Sequence, residues 1–282
     1  MSGPMREEII GDCRLILGDC RDVLPTLGSI DQIITSPPYN LGNTSGGGMP
    51  GKKRLGHYSA TAPLGAARGG MGKWSGGSLA GGYGLHDDAM PHVEYVAWQH
   101  EILRLCWGAL SATGAIYYNH KPRILDGALV SPLDYNPGLP IRQIVIWARS
   151  GGVNFSPAFY LPTHEWVVIF AKPDFRLRDK AASGAGDVWY IPQESGTEHP
   201  APFPLALPAK AIETTSAAVI ADPFMGSATT GVAAMLAGRR FIGIEREPKW
   251  FDLACRRIES AYRQTDLFRE PPAPKPEQLV LT

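Results

Sequence analysis

A strand, a turn of small residues, a helix and a second strand follow one another over residues 217–245, and this run constrains the fold more than any other. Residues 217–221 (AAVIA) are short and apolar, and they lead into the turn at residues 222–227 (DPFMGS). A helix is predicted over residues 229–237, and residues 241–245 (FIGIE) are predicted to form the next strand. This order is typical of the βαβ unit that holds nucleotide-like ligands at the carboxyl edge of a parallel sheet.

Other periodic segments extend the same architecture. Apolar runs predict further strands, and helical spacing predicts further helices. The strands are expected at residues 31–35, 114–119, 141–148, 165–171 and 188–191, and the helices at 21–27, 93–110 and from Pro248 to about Tyr262. Residues 172–209 are rich in proline and glycine and are otherwise predicted to be irregular. The alternation predicts an α/β fold that is Rossmann-like, with a mostly parallel sheet and helices on both faces.

The turn at residues 222–227 has small residues that allow its backbone to approach a ligand closely. Glu245 lies 19 residues after Gly226, a spacing typical of an acid that accepts hydrogen bonds from ribose hydroxyls. The turn contains neither G-x-G-x-x-G nor G-K-[ST], and the acidic Asp222 would repel phosphate. These features favour a ligand with a ribose and a positively charged amino-acid end. The alternative is a plain βα turn in which Glu245 is merely exposed.

A second candidate site is the segment S-P-P-Y-N, which directly follows the predicted strand at residues 31–35. Its two prolines end the strand and make the backbone rigid, so that the carbonyls of Ser36 and Pro37 can act as acceptors. Tyr39 offers a flat face for stacking on a ring. This combination suits the binding of a planar amino group, although a purely structural turn has the same composition.

Taken together, S-P-P-Y and the later D-P-F-x-G-S-x-T-T resemble the S-adenosylmethionine-dependent amino-methyltransferases of DNA, in the permuted β-type motif order. Three further segments are similar to that family: residues 18–24 (GDCRDVL), 199–204 (HPAPFP) and 241–245 (FIGIE). The resemblance covers most of residues 11–262, apart from the glycine-rich segment that follows S-P-P-Y-N.

This resemblance implies that S-adenosylmethionine is the methyl donor, that S-adenosylhomocysteine is its product, that no metal takes part, and that the partner is double-stranded DNA with a flipped-out target base. The implied catalytic residues are Ser36, Pro37, Pro38 and Tyr39. The implied cofactor-binding residues are Asp19, Cys20, Phe203, Asp222, Phe224, Gly226, Ser227 and Glu245. The chain lacks the Pro-Cys dipeptide that a cytosine carbon-5 enzyme would use.

Two positions depart from the family's pattern. Ala228 stands where the family usually has glycine, and Glu198 stands where a basic residue commonly precedes the histidine. Alanine adopts most helical backbone angles, so its extra methyl group is expected to weaken cofactor binding without abolishing it. A non-catalytic DNA-binding relic is the corresponding alternative.

Ser36, rather than aspartate, at the first motif position resembles the cytosine-N4 subgroup, so cytosine is favoured as the target base. The continuation at residues 39–42 (YNLG) is equally at home in adenine-N6 enzymes, which is the first alternative. An RNA or protein amino-methyltransferase and a nicotinamide-dependent reductase are the remaining rivals.

One domain is expected over residues 9–265, with a catalytic half at 9–171, a small possible recognition region at 172–198 and a cofactor half at 199–265. A glycine-rich basic loop is expected at residues 41–90 and a disordered tail at 266–282. Residues 41–84 hold 15 of the 32 glycines and carry a net charge of +5. They are interpreted either as a solvated linker or as a clamp on DNA phosphates. The basic residues of this loop are Lys52, Lys53, Arg54, Arg68 and Lys73.

Several other residues near predicted strand ends have open roles. Glu165 is interpreted as one of a buried hydrogen-bonded pair with His164, or else as a neighbour of the target base. Residues 119–121 (NHK) are predicted to form a surface turn, with His120 facing the site as the alternative. Trp98 and Trp107 are expected in the core. Phe155, Phe159 and Tyr160 are likewise predicted to fill the core, with a base pocket as the alternative.

The chain has no run of about 18 apolar residues, and its first eight residues lack a signal-peptide core. Its four cysteines form no C-x-x-C pair, which argues against a zinc ribbon and fits a reducing compartment. A cytoplasmic protein is therefore expected, and the family resemblance adds the expectation of a homodimer.

Overall fold

The computed structural model of the protein describes residues 6–40, 85–87, 89–125, 127–149, 157–194 and 204–266. The strands are β1 (Arg6–Ile10), β2 (Cys13–Leu17), β3 (Ile30–Thr35), β4 (Leu110–His120), β5 (Arg123–Leu125), β6 (Ala128–Val130), β7 (Ile141–Ala148), β8 (His164–Ala171), β9 (Val188–Tyr190), β10 (Val219–Asp222) and β11 (Arg240–Glu245). The helices are α1 (Cys20–Val23), α2 (His92–Ala109), α3 (Lys180–Ser183), α4 (Ala206–Glu213), α5 (Thr229–Leu236) and α6 (Pro248–Asp266). None of these described helices is long and apolar enough to cross a lipid bilayer.

Nine strands form one sheet in the order β1-β2-β11-β10-β3-β4-β8-β7-β9. Its five central strands, from β2 to β4, run parallel to one another. Strand β8 is antiparallel to β4 and to β7, and β1 is antiparallel to β2. The mostly parallel α/β sheet predicted from the sequence is confirmed.

Neighbouring residues of each central strand point to opposite sides of the sheet, and helices cover both sides. In β3, Ile34 packs in the core formed with α4, α5 and α6, whereas Ile33 packs in the core formed with α1 and α2. Leu15 and Ile16 of β2 divide between the same two cores. The central strands are therefore buried on both sides, and polar groups concentrate at their ends.

The chain order of the sheet is permuted. Strands β10 and β11 come late in the chain, yet they lie between β2 and β3. The C-terminal βαβ unit is thus inserted into the middle of the sheet, next to the strand that carries S-P-P-Y. This insertion brings the two candidate motifs to adjacent strands.

Several described elements differ from the sequence predictions, among them the short elements β5, β6 and α3, which are not predicted. Strand β1 is not predicted, because its R-E-E-I-I sequence is too polar to show a buried run. Helix α4 is not predicted because of Pro208, but this proline occupies the first turn of the helix, where no backbone N–H is needed. The helix predicted at residues 21–27 is a single α turn followed by a 3₁₀ turn at Leu24–Thr26, which contains Pro25.

Candidate active site

Two turns far apart in the chain meet at one edge of the sheet. Strands β3 and β10 are parallel neighbours, with Ala221 opposite Ile33. Because both strands run in the same direction, the segments after Thr35 and after Asp222 leave from the same edge. The Thr35 hydroxyl donates a hydrogen bond of 2.9 Å to the Asp222 carboxylate across this junction. The two predicted motifs are therefore brought together, as the sequence requires.

A cleft opens above this junction, and residues from both motifs line it. Ser36 and Pro38 line it on the β3 side, and residues 223–227 and Thr229 line it on the β10 side. Residues 18–20 and 244–247 complete the walls, together with His86, Trp98 and Trp250. We call this feature the cleft. Most predicted cofactor-binding residues and two of the predicted catalytic residues, Ser36 and Pro38, thus border a single space.

Asp222 is an exception, and its predicted contact with the cofactor is corrected. Its side chain is 1% exposed and is not among the residues that line the cleft. Its carboxylate accepts hydrogen bonds from the Thr35 hydroxyl at 2.9 Å, the Phe224 N–H at 3.0 Å and the Thr230 hydroxyl at 2.8 Å. Burial raises its pKa to about 6, although these hydrogen bonds favour the charged form. Asp222 acts from behind the turn, where it ties β3, the turn and α5 together.

Glu245 lies at the tip of β11 and faces the cleft. One carboxylate oxygen accepts from the Gly226 N–H at 3.0 Å and the other accepts from the Glu247 N–H at 2.7 Å. A carboxylate offers about four acceptor positions, so both oxygens can still accept from a pair of ligand hydroxyls. Gly226 has a φ of 50°, in the left-handed region that glycine adopts freely, which allows its N–H to face this carboxylate. The arrangement fits a ribose with two neighbouring hydroxyl groups.

The charge of Glu245 is expected to make binding of S-adenosylmethionine depend on pH. Burial raises the pKa of Glu245 to about 7, so the side chain is ionised at pH 8 and mostly protonated at pH 6. Since the protonated acid is the poorer acceptor, the affinity for S-adenosylmethionine should fall about tenfold from pH 8 to pH 6. Isothermal titration calorimetry at steps of half a pH unit measures this dependence. An affinity that is constant over the interval would contradict the role of Glu245.

The first turn of α1 forms another wall of the cleft. Asp19 caps this helix and accepts from the backbone N–H and the guanidinium of Arg21, at distances of 2.8–3.0 Å. The bond from Arg21 lowers the pKa of Asp19 against the opposing effect of burial. Cys20 lines the same wall and is 6% exposed. Both predicted cofactor-binding residues therefore border the cleft.

Phe224 and Trp98 form an aromatic part of the cleft. Their ring centroids are 5.5 Å apart, and the His86 ring lies 4.8 Å from that of Trp98. The sequence predicts Trp98 to be a core residue; its side chain packs against the core formed with α1 and α2 and also borders the cleft. Helical spacing alone cannot reveal this position, because it depends on how α2 packs next to the turn that follows β10. Phe203, the remaining predicted cofactor contact, lies outside the described residues, as does Glu198.

The turn ends at two residues that shape its backbone. Ser227 is buried and accepts at its hydroxyl from the Arg257 guanidinium at 2.7 Å, which also binds the Ser227 carbonyl at 2.6 Å. Ala228 is fully buried and has φ 59° and ψ 41°. Its methyl group packs in the core with α5, and Ala228 does not line the cleft. The departure from glycine therefore strains the backbone instead of adding a group beside the ligand.

Substitutions at Ala228 are expected to separate backbone strain from packing. Ala228→Val adds a β-branched side chain to a left-handed position in a filled core, so the free energy of unfolding should fall by about 2–4 kcal/mol. Ala228→Gly relieves the strain but leaves a methyl-sized gap, so it should change that free energy by less than about 1 kcal/mol. Urea unfolding followed by circular dichroism measures both. A valine variant as stable as the parent would contradict the left-handed conformation.

The S-P-P-Y segment contributes to a polar cluster that we call the serine corner, formed by Ser36, Tyr39, Asn119 and Glu165. The Tyr39 hydroxyl lies 2.7 Å from the Ser36 hydroxyl and donates to a Glu165 oxygen at 2.9 Å. The Asn119 amide nitrogen lies 3.0 Å from that same oxygen, 2.8 Å from the Tyr39 hydroxyl and 3.3 Å from the Ser36 hydroxyl, and it shares its two hydrogens among these three acceptors. The Arg149 guanidinium lies 3.7 Å from the other Glu165 oxygen. Four polar side chains thus converge at one wall of the cleft, with Ser36 lining it and the other three behind Ser36.

The sequence does not predict how two residues of the serine corner, Asn119 and Glu165, are placed. The sequence predicts Asn119 in a surface turn, but it is 4% exposed, and the adjacent His120 is fully buried. Both lie in β4, which continues to His120 because the start of β8 pairs with it, His120 opposite Trp166. Glu165 is expected to pair with His164; it is buried and bonded to Tyr39 and Asn119 instead. Polar residues at the ends of two apolar strand sequences were the available signal.

The backbone of the S-P-P-Y segment is held from below. The Tyr95 hydroxyl donates to the Pro38 carbonyl at 2.6 Å, and Arg123 donates to the carbonyls of Tyr39 and Asn40 at 3.0 and 2.7 Å. The His120 ring lies 4.4 Å from the Tyr39 ring, measured between centroids. Pro37 is buried, so the corner is rigid, as the two prolines predict.

The aromatic residues of the segment before β8 do not all lie where the sequence predicts. Phe159 and Tyr160 are expected in the core, but they are 38% and 97% exposed, because they precede β8 at the rim of the sheet. Phe155 lies outside the described residues. So do the basic residues Lys52, Lys53, Arg54, Arg68 and Lys73, the glycine-rich segment at 41–84 and the tail beyond residue 266.

Known DNA methyltransferases are similar to this chain in sequence and in fold. The profile of a DNA methylase family, N6_N4_Mtase, matches residues 30–256. The type II methyltransferase M.BglI of Bacillus subtilis is 38% identical over 162 residues, which cover 51% of this chain and 47% of that protein. M.BglII of the same organism is 23% identical over 86% of this chain and 66% of its own length. M.HinfI of Haemophilus influenzae is 29% identical over 90% of this chain and 70% of its own length. The chain therefore spans less than two thirds of the first two relatives.

Two solved structures have a similar fold at low sequence identity. The cytosine-N4-specific PvuII DNA methyltransferase is 18% identical, with a TM-score of 0.60 over 89% of this chain and 92% of that chain. A putative DNA modification methylase of Thermus thermophilus, solved with S-adenosyl-L-methionine, is 21% identical, with a TM-score of 0.57 over 87% and 92%. Because the family profile covers most of the chain and the permuted sheet carries both of its motifs at one edge, the protein belongs to the DNA methylase family N6_N4_Mtase.

Proposed function

We propose that this protein transfers a methyl group from S-adenosylmethionine to the exocyclic amino group of a base in DNA, with cytosine N4 favoured over adenine N6. The observation that carries the proposal is that Ser36 and Glu245 border the same cleft, one from each motif. Family membership and the type II methyltransferases among the relatives support DNA as the substrate.

S-adenosylmethionine supplies the reactive methyl group when it is bound. The two oxygens of Glu245 would accept from its ribose hydroxyls, and Phe224 would pack against its adenine, with Asp19 nearby. The small residues of the turn around Gly226 would leave room for the amino-acid end of S-adenosylmethionine. Asp222 stands behind the turn and contributes by holding its shape.

The amino group of a base is a poor nucleophile, because its lone pair is delocalised into the ring. Ser36 and the Pro37 carbonyl would accept its two hydrogens, which favours a pyramidal nitrogen whose lone pair points into the cleft. Fixed acceptors of this kind stabilise the positive charge that develops on the nitrogen. The base would have to leave the double helix to reach Ser36, and a face of Tyr39 would stack on it.

The identity of the target base is tested by the modified nucleoside. DNA is incubated with the protein and tritiated S-adenosylmethionine, digested, and analysed by liquid chromatography with mass spectrometry. The proposal expects N4-methylcytosine, because serine stands at the first motif position. N6-methyladenine would support the adenine alternative. Label in an RNA or protein control, with none in DNA, would overturn the proposal.

The non-catalytic alternative has a separate test. A relic would bind DNA without binding S-adenosylmethionine, and calorimetry with the ligand alone distinguishes the two. The position of the Ala228 methyl group outside the cleft removes the main reason for expecting a relic. We retain the single domain at 9–265, a recognition role for residues 172–198 and a homodimer as proposals. Analytical ultracentrifugation tests the last of these.

A further inference from the structure

The serine corner contains a chain of hydroxyl groups that ends on a buried carboxylate, and its proton positions follow from donor accounting. Tyr39 has one hydroxyl hydrogen, which it donates to Glu165 at 2.9 Å. A carboxylate has only acceptors, so this direction is the one available to the pair. The contact of 2.7 Å between Tyr39 and Ser36 must then be a bond that Ser36 donates and Tyr39 accepts.

This direction determines what Ser36 can offer to a substrate. Its hydrogen is occupied by Tyr39, and one of its lone pairs faces the Asn119 amide at 3.3 Å. The second lone pair of the Ser36 oxygen is not used by these two contacts, and it can accept a hydrogen from an amino nitrogen in the cleft. Hydrogen bonds arranged in series polarise one another, so donation toward Glu165 makes the Ser36 oxygen a stronger acceptor.

The surroundings of Glu165 are those of a proton acceptor held in place. Its side chain is 8% exposed, and the Arg149 guanidinium lies 3.7 Å from the oxygen that Tyr39 does not use. Asn119 donates to the same oxygen as Tyr39, at 3.0 Å. Burial, and then the charge of Glu165, raise the pKa of the Tyr39 phenol, which keeps Tyr39 protonated as a neutral link between Ser36 and Glu165.

We propose that Glu165 is a positioning residue that receives, through Ser36 and Tyr39, the proton that the target amino group loses on methylation. The proposal rests on the proposed function of the same site. As the nitrogen forms its new bond to the methyl carbon, the bond from that carbon to sulfur breaks and its electron pair stays on sulfur. The nitrogen becomes cationic, and one of its N–H bonds then breaks. That proton passes to Ser36, the Ser36 proton passes to Tyr39, and the Tyr39 proton passes to the nearer Glu165 oxygen. Glu165 ends as the neutral acid and releases the proton after the product leaves.

The test uses three variants of the full chain: Tyr39→Phe, Glu165→Gln and the double variant. Phenylalanine keeps the ring that would stack on the base and removes only the relay oxygen. Glu259→Gln, exposed on α6 and not among the residues that line the cleft, is the matched control for Glu165→Gln. For each protein, single-turnover methylation, the dissociation constant for S-adenosylmethionine and the dissociation constant for DNA are measured.

We expect each single variant to lower the single-turnover rate about tenfold or more, with both dissociation constants within about threefold of the parent. The double variant should be no slower than the slower single variant, because both changes break one chain. A Tyr39→Phe variant at the parent rate, or losses that multiply in the double variant, would overturn the proposal. If Glu165→Gln fails to fold, the Tyr39→Phe rate still decides. A parent protein that does not methylate DNA would instead refute the proposed function itself.

Discussion

Replacing Ser36 by alanine is expected to slow methyl transfer by about 10²–10³-fold while binding of S-adenosylmethionine survives. The loss is of the size seen when one fixed hydrogen-bonding group is removed from a developing charge. Alanine keeps the proline-held backbone, but it removes the oxygen that is hydrogen-bonded to Tyr39 and that, on the proposed function, would accept a hydrogen from the amino group. Calorimetry with S-adenosylmethionine beside a single-turnover assay with tritiated methyl separates binding from transfer.

The matched control for this experiment is Ser260→Ala, exposed on α6 and away from the residues that line the cleft. Its rate should equal that of the parent. An unchanged rate in Ser36→Ala would remove Ser36 from the mechanism. A loss of S-adenosylmethionine affinity as large as the loss of rate would reassign Ser36 to cofactor binding, which its position at the cleft wall also permits.

The parts of the fold that can be predicted from the sequence are those with local signals. Strand β7 has its predicted bounds, and the strands on either side of α5 lie within two residues of prediction, because buried parallel strands are continuous apolar runs. The motif turns are also recognisable locally, from proline, glycine and serine at positions that need them. Their meeting at one edge then follows from the parallel order of the sheet.

The serine corner shows what local patterns omit. Asn119 and Glu165 are brought together by antiparallel pairing of β4 and β8, strands that are separated by β5, β6 and β7 in the chain. No residue spacing encodes that register, so each side chain resembles an ordinary strand end. Asp222 shows the opposite error. Its place in the motif suggests a ligand contact, but three donors of the protein surround its carboxylate.

Ala228 also shows why a conformation must be seen before a substitution is judged. The sequence suggests a helical backbone, in which alanine is harmless except for its methyl group. The residue is instead left-handed and buried, so the cost of alanine is backbone strain. An effect of this residue on a ligand in the cleft would therefore have to act through the shape of the turn.

Replacing Glu245 by glutamine is expected to weaken S-adenosylmethionine binding by about 100-fold. Two ribose hydroxyls that each lose about 1.5 kcal/mol of charge-assisted hydrogen bonding give about 3 kcal/mol, which is a factor of about 10² in the dissociation constant. Glutamine also cannot accept hydrogen bonds from the N–H groups of both Gly226 and Glu247 with separate atoms, because one of its two polar atoms is a donor. Calorimetry at pH 8, where the parent carboxylate is ionised, measures the difference.

The same variant tests whether Glu245 causes the pH dependence of the affinity for S-adenosylmethionine. If Glu245 causes the loss of affinity between pH 8 and pH 6, Glu245→Gln should show a flat profile over that interval, apart from what the ligand's own amino group contributes. Glu259→Gln on α6 should retain both the affinity and the slope of the parent, because its side chain is exposed and does not line the cleft. A Glu245→Gln variant that binds as tightly as the parent would place the ribose elsewhere in the cleft.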